Sequence, residues 1–177
     1  PSSLSIKELN KINPDALREL KKELYKIADN IIVDSAAGLG QEAMSAFNMA
    51  DELIIVTNPE IPAITDALKA IKIAEKMNKS IMGVIVTRVK TDDIEMKPKT
   101  VKEMLEVPIL GMVPEDQSVQ ESITLKDAVV HTHPKSNASR AYKEIAAKIT
   151  GREYNSDKDK ESWLDKILKI FGVRTRI

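Results

Sequence analysis

The sequence contains no cysteine, and only 3% of its residues are aromatic. The lack of cysteine excludes disulfide bonds, thiolate metal sites, cysteine nucleophiles and Cys-ligated iron–sulfur clusters, and it fits a reducing compartment. No run approaches the roughly 20 apolar residues that a membrane-spanning helix needs, and residues 1–20 lack the apolar core of a signal peptide. We therefore expect a cytoplasmic protein.

An excess of one charge is also missing, because Lys+Arg and Asp+Glu both total 27. The neutral sum gives no strong signal for nucleic-acid binding, although it can conceal a locally charged segment. With 177 residues, of which 42% are hydrophobic, the chain is long enough to bury one sizeable core.

Strand and helix patterns alternate along the chain. Short apolar, β-branched runs without polar alternation predict buried parallel strands at 30–33, 53–56, 81–87 and 108–112. Helical periodicity predicts helices at 14–26, where Asn13 is the expected N-cap, and at 41–49, 62–77, 98–105, 119–124 and 136–149. The alternation predicts an α/β fold, doubly wound, with a mainly parallel sheet and helices on both faces.

The predicted organisation has three parts. Residues 1–150 form the α/β domain, the polar stretch 151–160 is a linker, and 161–177 form an amphipathic helix.

The segment DNIIVDSAAGLG, residues 29–40, combines a predicted strand with a loop of small residues. In open α/β sheets ligands bind beyond the carboxyl ends of the strands, so Asp34 is placed to hold a Mg²⁺ ion through water. Gly38 and Gly40 would permit close backbone approach. An ordinary strand-to-helix turn is the alternative interpretation.

The segment ADELIIVTNPE, residues 50–60, ends in polar residues at a second strand end. Asn58 and Glu60 lie where ligand-contacting residues are found, and a role limited to capping the next helix is equally consistent with the pattern.

These two segments and VPILGMVPEDQSV, residues 107–119, resemble blocks of the MinD branch of the MinD/ParA family of P-loop ATPases, in the same order and spacing. The resemblance covers essentially the whole chain and implies ATP and Mg²⁺ as cofactors. It implies that Asp34, Ser35 and Gly38 belong to switch II, with Asp34 near Mg²⁺ through water. Nucleotide-binding residues implied in the same way are Thr87, Arg88, Pro114, Glu115 and Asp116.

The sequence departs from the family at three points. Ala36 stands where the family usually has Pro, and Thr87 stands where many relatives have Asn. None of the six glycines is followed by Lys, as the phosphate-binding loop requires. We expect that loop and its strand, which would lie beside 30–33 in mid-sheet, upstream of Pro1 in a longer parent protein. The isolated chain is then expected neither to bind ATP tightly nor to hydrolyse it, and measurable Mg·ATP turnover would refute this. The sequence leaves open whether the chain alone is an enzyme.

The tail ESWLDKILKIFGVRTRI, residues 161–177, predicts a membrane-binding helix. At 100° per residue its apolar side chains span an arc of roughly 160°. They are Trp163, Leu164, Ile167, Leu168, Ile170 and Phe171. The basic residues expected to meet lipid are Lys166, Lys169, Arg174 and Arg176. Residues 158–177 hold six Lys/Arg and three Asp/Glu, a net charge of +3, which suits an interfacial anchor. The alternative is a terminal helix packed on its own core.

The resemblance implies a parent protein that forms a homodimer with ATP and binds an anionic membrane reversibly at the inner face of the cell membrane. Its expected role is placing the division site or related positioning, with a MinC- or MinE-like regulator contacting the helix after Pro62. Alternatives are a ParA-like or flagellar-number MinD relative, and a non-catalytic membrane-binding adaptor.

Two weaker patterns remain. His131 and His133 would supply half of a metal site, but a solvated loop before Pro134 is the favoured interpretation. The acidic residues Asp92, Asp93 and Glu95 fit a loop better than a cation site.

Overall fold

The computed structural model describes residues 14–90 and 98–154. The chain divides into two compact units, Pro1–Leu110 and Gly111–Ile177. Several predicted features lie outside the described residues: the cap Asn13, the acidic residues Asp92, Asp93 and Glu95, most of the linker and the whole tail helix. Within the described ranges, no helix is both long and apolar enough to cross a bilayer.

The first unit contains a parallel sheet with helices between its strands. Its elements are α1 (Pro14–Ile27), α2 (Gln41–Met49), β1 (Glu52–Thr57), α3 (Ile61–Lys76), β2 (Ser80–Val89), α4 (Pro98–Leu105) and the start of β3 (Ile109–Pro114). The strand order is β1-β2-β3. β1 and β2 pair in parallel, with Glu52 opposite Ser80 and Thr57 opposite Val86. The predicted α/β class is confirmed.

The core of the first unit lies between β1, β2 and the helices α3 and α4. Inward residues of the strands meet apolar residues spaced three or four apart on the helices, as period-two and period-3.6 patterns require. The buried cluster consists of Ile55, Ile64, Ala67, Ile71, Val84, Val86, Val101 and Leu105. Burial of a large aliphatic side chain contributes roughly 1.5–3 kcal/mol, so this cluster stabilises the packing of α3 and α4 on the two strands.

Polar contacts tie α1 to the start of β1. Lys21 and Tyr25, one helical turn apart on α1, both donate hydrogen bonds to the Asp51 carboxylate. The Lys21 ammonium, followed by the Tyr25 hydroxyl, holds the pKa of Asp51 below its usual value. Asp51 and Tyr25 are largely exposed and Lys21 is half-buried, so solvent screens the contact and its contribution to stability is small.

The predicted strand at 30–33 is wrong. Residues 30–36 have no regular secondary structure, and Ile32 is 93% exposed. A strand exists only through hydrogen bonds to a neighbouring strand, and no described strand lies beside this run. The β-branched residues of this run favour extended structure, but the described part of the chain offers no neighbouring strand with which it could pair.

The second unit continues from β3 into three helices, α5 (Gln117–Thr124), α6 (Val129–Thr132) and α7 (Asn137–Thr150). Gly111 on β3 allows close packing against α7, because a Cβ at this position would lie 2.3 Å from Ile145 Cγ1. The buried hydroxyl of Ser139 lies within hydrogen-bond distance of two carbonyl oxygens, those of Val129 (2.8 Å) and His133 (2.7 Å), and its single proton is shared between them. It thereby holds α6 against α7.

The favoured loop interpretation of the histidine segment is also wrong in part. His131 belongs to α6, a single helical turn, and His133 is its C-cap. One turn of helix is too short to produce a readable 3.6-residue period, so the sequence pattern could not reveal it.

Candidate functional site

The carboxyl ends of β1 and β2 meet at one edge of the sheet. Thr57 ends β1 and is buried, and the Thr87 hydroxyl donates to the Thr57 carbonyl oxygen at 3.1 Å. The next residue, Arg88, is exposed and adopts a left-handed conformation with φ of 57°. That conformation is uncommon for a residue with a Cβ atom, and it lies one residue before the end of β2. The edge is thus locked by a hydrogen bond between the two strand ends.

The turn after β1 shows the capping role of Asn58. Its side-chain oxygen accepts a hydrogen bond from the Glu60 amide at 3.3 Å, which closes a turn immediately before α3. Glu60 occupies the N-cap position, makes no side-chain cap hydrogen bond, and is exposed. Pro62 lies in the first turn of α3, where its missing N–H costs nothing.

The predicted switch II segment is exposed. Asp34 and Ser35 both face solvent, and the Ser35 hydroxyl donates to the Ala36 carbonyl oxygen at 3.1 Å. Gly38 has a φ of +84°, which residues with a Cβ rarely adopt, and Gly40 is the N-cap of α2. Within the described ranges the Asp34 carboxylate has no hydrogen-bond or ion-pair partner. Its two oxygens are chemically suited to contact metal-bound water.

The second unit holds the other predicted nucleotide residues. Pro114 ends β3, Glu115 is exposed, and Asp116 is the N-cap of α5. One Asp116 oxygen accepts from the Ser118 amide at 2.9 Å, and the other accepts from the Ala138 amide at 3.1 Å. The carboxylate therefore joins the first turns of α5 and α7.

This joint changes the acidity of Asp116. The Ala138 amide, which donates to the carboxylate, is the main reason that the pKa of Asp116 is lower than usual. Partial burial opposes the shift, and the Ser118 amide adds to it. A carboxylate that accepts backbone N–H bonds is stabilised in its charged form. The sequence contains a signal for the α5 cap, since Asp is a preferred N-cap residue, but none for the bond to Ala138, 22 residues away.

The two histidines each contact a carboxylate. His131 Nδ1 lies 3.1 Å from Asp127 Oδ1, and His133 Nε2 lies 3.1 Å from Glu121 Oε2. Sequence patterns did not reveal these pairs or the buried Ser122 hydroxyl, which lies 2.6 Å from Thr132 Oγ1. In the part of the chain that the structure describes, no three His, Asp or Glu side chains are grouped to hold a metal ion.

The predicted site residues are thus divided between the units. Switch II, Thr87 and Arg88 belong to the first unit, whereas Pro114, Glu115 and Asp116 belong to the second. All the predicted lipid contacts, from Trp163 to Arg176, lie outside the described residues.

Comparison with known proteins identifies relatives along nearly the whole chain. An uncharacterised ATP-binding protein of Methanocaldococcus jannaschii is 38% identical over 177 residues, which covers 98% of this chain and 67% of that protein. The septum site-determining protein MinD of Pyrococcus horikoshii, solved in complex with Mg-ADP, superimposes with a TM-score of 0.72 at 31% identity. That match covers 84% of this chain and 61% of the other.

A third match is the MinC:MinD cell division protein complex of Aquifex aeolicus, with a TM-score of 0.71 and 28% identity over 85% of this chain and 61% of the other. The chain thus spans about two thirds of the length of the proteins it matches. The model of the family described as ParA, NUBPL iron-transfer P-loop NTPase, matches residues 12–150. The chain belongs to the ParA/MinD family of P-loop NTPases.

Proposed function

We propose that this chain is part of a MinD-like ATPase in which ATP binding and dimerisation control reversible attachment to the inner face of the cell membrane. The process it serves is placement of the division site. The observation that carries the proposal is the combination of two features in one chain. The α/β fold resembles solved MinD structures over most of its length, and the sequence after it is cationic and amphipathic.

The nucleotide part of the proposal assigns Asp34 to the Mg²⁺ region. Its exposed carboxylate is suited to accept hydrogen bonds from water bound to Mg²⁺, and Gly38 lets the backbone turn close to a phosphate. Mg·ATP, when bound, supplies the phosphoanhydride whose hydrolysis would end the membrane-bound state. Ser35 is assigned to the same loop, where its hydroxyl bond to Ala36 constrains the backbone beside Asp34.

In the first unit, Thr87 and Arg88 are assigned to the nucleotide base on the family resemblance. In the second unit, the segment from Pro114 to Asp116 is assigned to it on the same ground. The Thr87 hydroxyl donates its proton to the Thr57 carbonyl oxygen, so towards a ligand it can act only as a hydrogen-bond acceptor. Both Asp116 oxygens already accept backbone amides, which supports a positioning role for this residue. Asp116 would hold the strand end at Pro114 while the neighbouring backbone contacts the base.

The membrane part of the proposal requires that a single tail has only a weak affinity for an anionic membrane. Each basic residue near an anionic leaflet contributes about 1 kcal/mol, so a net charge of +3 adds a few kcal/mol to partial burial of six apolar side chains. A dimer would insert two tails, and the second insertion becomes intramolecular. Its avidity gain is about 10²–10⁴, which makes attachment depend on the dimeric state.

A regulator of the MinC or MinE kind is proposed to contact α3 near Pro62. The supporting observation is that α3 begins with an exposed surface, where Ile61 is 67% exposed.

Vesicle co-sedimentation tests the membrane part. With lipid in large excess, so that the weak affinity of a single tail suffices, we expect the chain to pellet with vesicles of phosphatidylcholine and phosphatidylglycerol and to remain in solution with phosphatidylcholine alone. The tail variant Ile167→Glu/Phe171→Glu should bind more than about tenfold less, because each change removes an apolar side chain whose burial contributes roughly 1.5–3 kcal/mol.

The matched control is Ile61→Glu/Ile123→Glu, which introduces the same charge at two isoleucines exposed on the folded units. It should bind as the native chain does. Equal binding of the tail variant and the native chain would refute the proposed membrane contact.

A further inference from the structure

Charge in the second unit is divided along the sequence. Residues 111–134 contain four acidic side chains and one basic one, a net charge of −3. Residues 135–152, which include α7, contain five basic side chains and one acidic one, a net charge of +4. The near-zero total charge of the unit therefore conceals a strongly positive segment.

Three of these cations gather at the turn that precedes α7. Arg140 Nη1 donates to the Lys135 carbonyl oxygen at 2.8 Å, and Lys143 Nζ donates to the Pro134 carbonyl oxygen at 3.2 Å. The head groups of Arg140 and Lys143 thus contact the backbone of Lys135 and Pro134, and the side chain of Lys135 is exposed at the same turn. We call Lys135, Arg140 and Lys143 the basic cluster.

The basic cluster lies on the outer side of α7. At 100° per residue, Arg140 and Lys143 fall about 140–160° away from Ala138 and Ile145, which are buried. The backbone carbonyl bonds restrict the two long side chains, so less side-chain entropy remains to be lost when an anion binds. Glu144, exposed on the same helix, is the acidic neighbour that reduces the local charge.

We infer that the basic cluster is a second contact for anionic lipid headgroups, which orients the second unit on the membrane. The inference rests on the proposed function, because the tail brings the unit to the lipid surface. α7 ends at Thr150, and the ten residues 151–160 can span at most about 33–36 Å before the tail begins. A tail lying in the interface therefore keeps α7 within reach of the headgroups. The tail that follows α7 is also positively charged and is proposed to bind lipid. Its proximity favours a membrane over a nucleic acid as the partner of the basic cluster.

The test replaces the cluster while keeping hydrogen-bond donors. The triple variant Lys135→Gln/Arg140→Gln/Lys143→Gln removes three positive charges and leaves an uncharged amide donor at each position. The matched control is Lys69→Gln/Lys72→Gln/Lys76→Gln, which removes the same charge from α3 of the first unit. Circular dichroism should show native helix content in both variants.

Each basic residue at an anionic surface changes the partition constant by about fivefold. We expect the cluster variant to bind phosphatidylglycerol-containing vesicles at least about tenfold less than the native chain, with a weaker dependence on salt. The control variant should change binding less than about twofold.

A single label separates this inference from the proposed function. The chain has no cysteine, so Ala146→Cys on α7 provides a unique site for a fluorophore whose energy transfer to labelled lipid reports the distance of α7 from the membrane. In the native background we expect strong transfer. In the cluster variant we expect weak transfer, while Trp163 emission still shows that bound molecules have inserted the tail.

Three other results would each contradict the inference that the basic cluster contacts lipid. If the cluster variant keeps both transfer and affinity, the inference is wrong and the tail alone accounts for membrane binding. If the native chain and the cluster variant both fail to bind vesicles, and the tail double variant behaves as they do, the proposed function is wrong and the inference that rests on it is wrong too. If the cluster variant loses affinity for duplex DNA and keeps its affinity for vesicles, the cluster is a nucleic-acid surface.

Discussion

Removing the Asp116 carboxylate should loosen the junction of α5 and α7. Asp116 accepts one amide from each helix, Ser118 at 2.9 Å and Ala138 at 3.1 Å. An N-cap side chain contributes about 1 kcal/mol, and a hydrogen bond to a charged group contributes roughly 1.5–3 kcal/mol. Because the site is only partly buried, we take the lower end of each range. Asp116→Ala should lower the free energy of unfolding by about 2–3 kcal/mol.

The pH dependence has a definite sign. The pKa of Asp116 is lower in the folded chain than its unfolded value of about 3.9, so its contribution is present above that value and is lost as pH falls through the folded pKa. The difference in stability between the native chain and Asp116→Asn should therefore be full at neutral pH and shrink on acidification. Urea unfolding followed by circular dichroism, repeated across the acidic range, measures it.

Amide hydrogen exchange locates the effect. Protection of the Ser118 and Ala138 amides should fall by at least about tenfold in Asp116→Ala, since each 1.4 kcal/mol changes the opening constant tenfold. The control is Asp66→Ala, whose carboxylate makes only an exposed contact with Lys69 at 2.9 Å and should change stability by less than about 0.5 kcal/mol. A loss equal to that of the control, or a loss independent of pH, would refute the reasoning.

Two further substitutions test close packing and the locked strand edge. Gly111→Ala would place a Cβ 2.3 Å from Ile145 Cγ1, so it should lower the free energy of unfolding by about 1–3 kcal/mol in a urea titration, and an unchanged midpoint would contradict this close packing. Thr87→Val removes the hydrogen bond to the Thr57 carbonyl oxygen and should lower the free energy of unfolding by about 1 kcal/mol. Thr87→Ser keeps the hydroxyl and should retain most of that stability. Equal stabilities of the Val and Ser variants would contradict this role of the hydroxyl.

Local patterns predicted the helices and the paired strands well. The bounds of α2 and α4 agree with the prediction, because helical periodicity and the position of Pro98 are properties of neighbouring residues. The strand predicted at 30–33 is wrong because strand formation does not depend on neighbouring residues alone. Its residues favour extended structure, but a strand also needs a partner, and partners are supplied by residues distant in sequence.

The candidate site divides in the same way. Its location at the carboxyl ends of β1 and β2 follows from the strand pattern and the general behaviour of open α/β sheets. The bond between Asp116 and Ala138 could not be predicted, since it joins two helix starts that only the fold brings together. The same holds for the Ser139 hydroxyl, which appears in sequence as an ordinary helix residue although it links α6 to α7.

The emission of Trp163, the only tryptophan in the chain, tests the central claim most directly. Titration with phosphatidylglycerol-containing vesicles should shift the emission to shorter wavelength as the indole leaves water, and added salt should weaken the effect by screening the tail's net charge of +3. An emission spectrum unchanged by anionic vesicles at low salt would contradict membrane control by this tail.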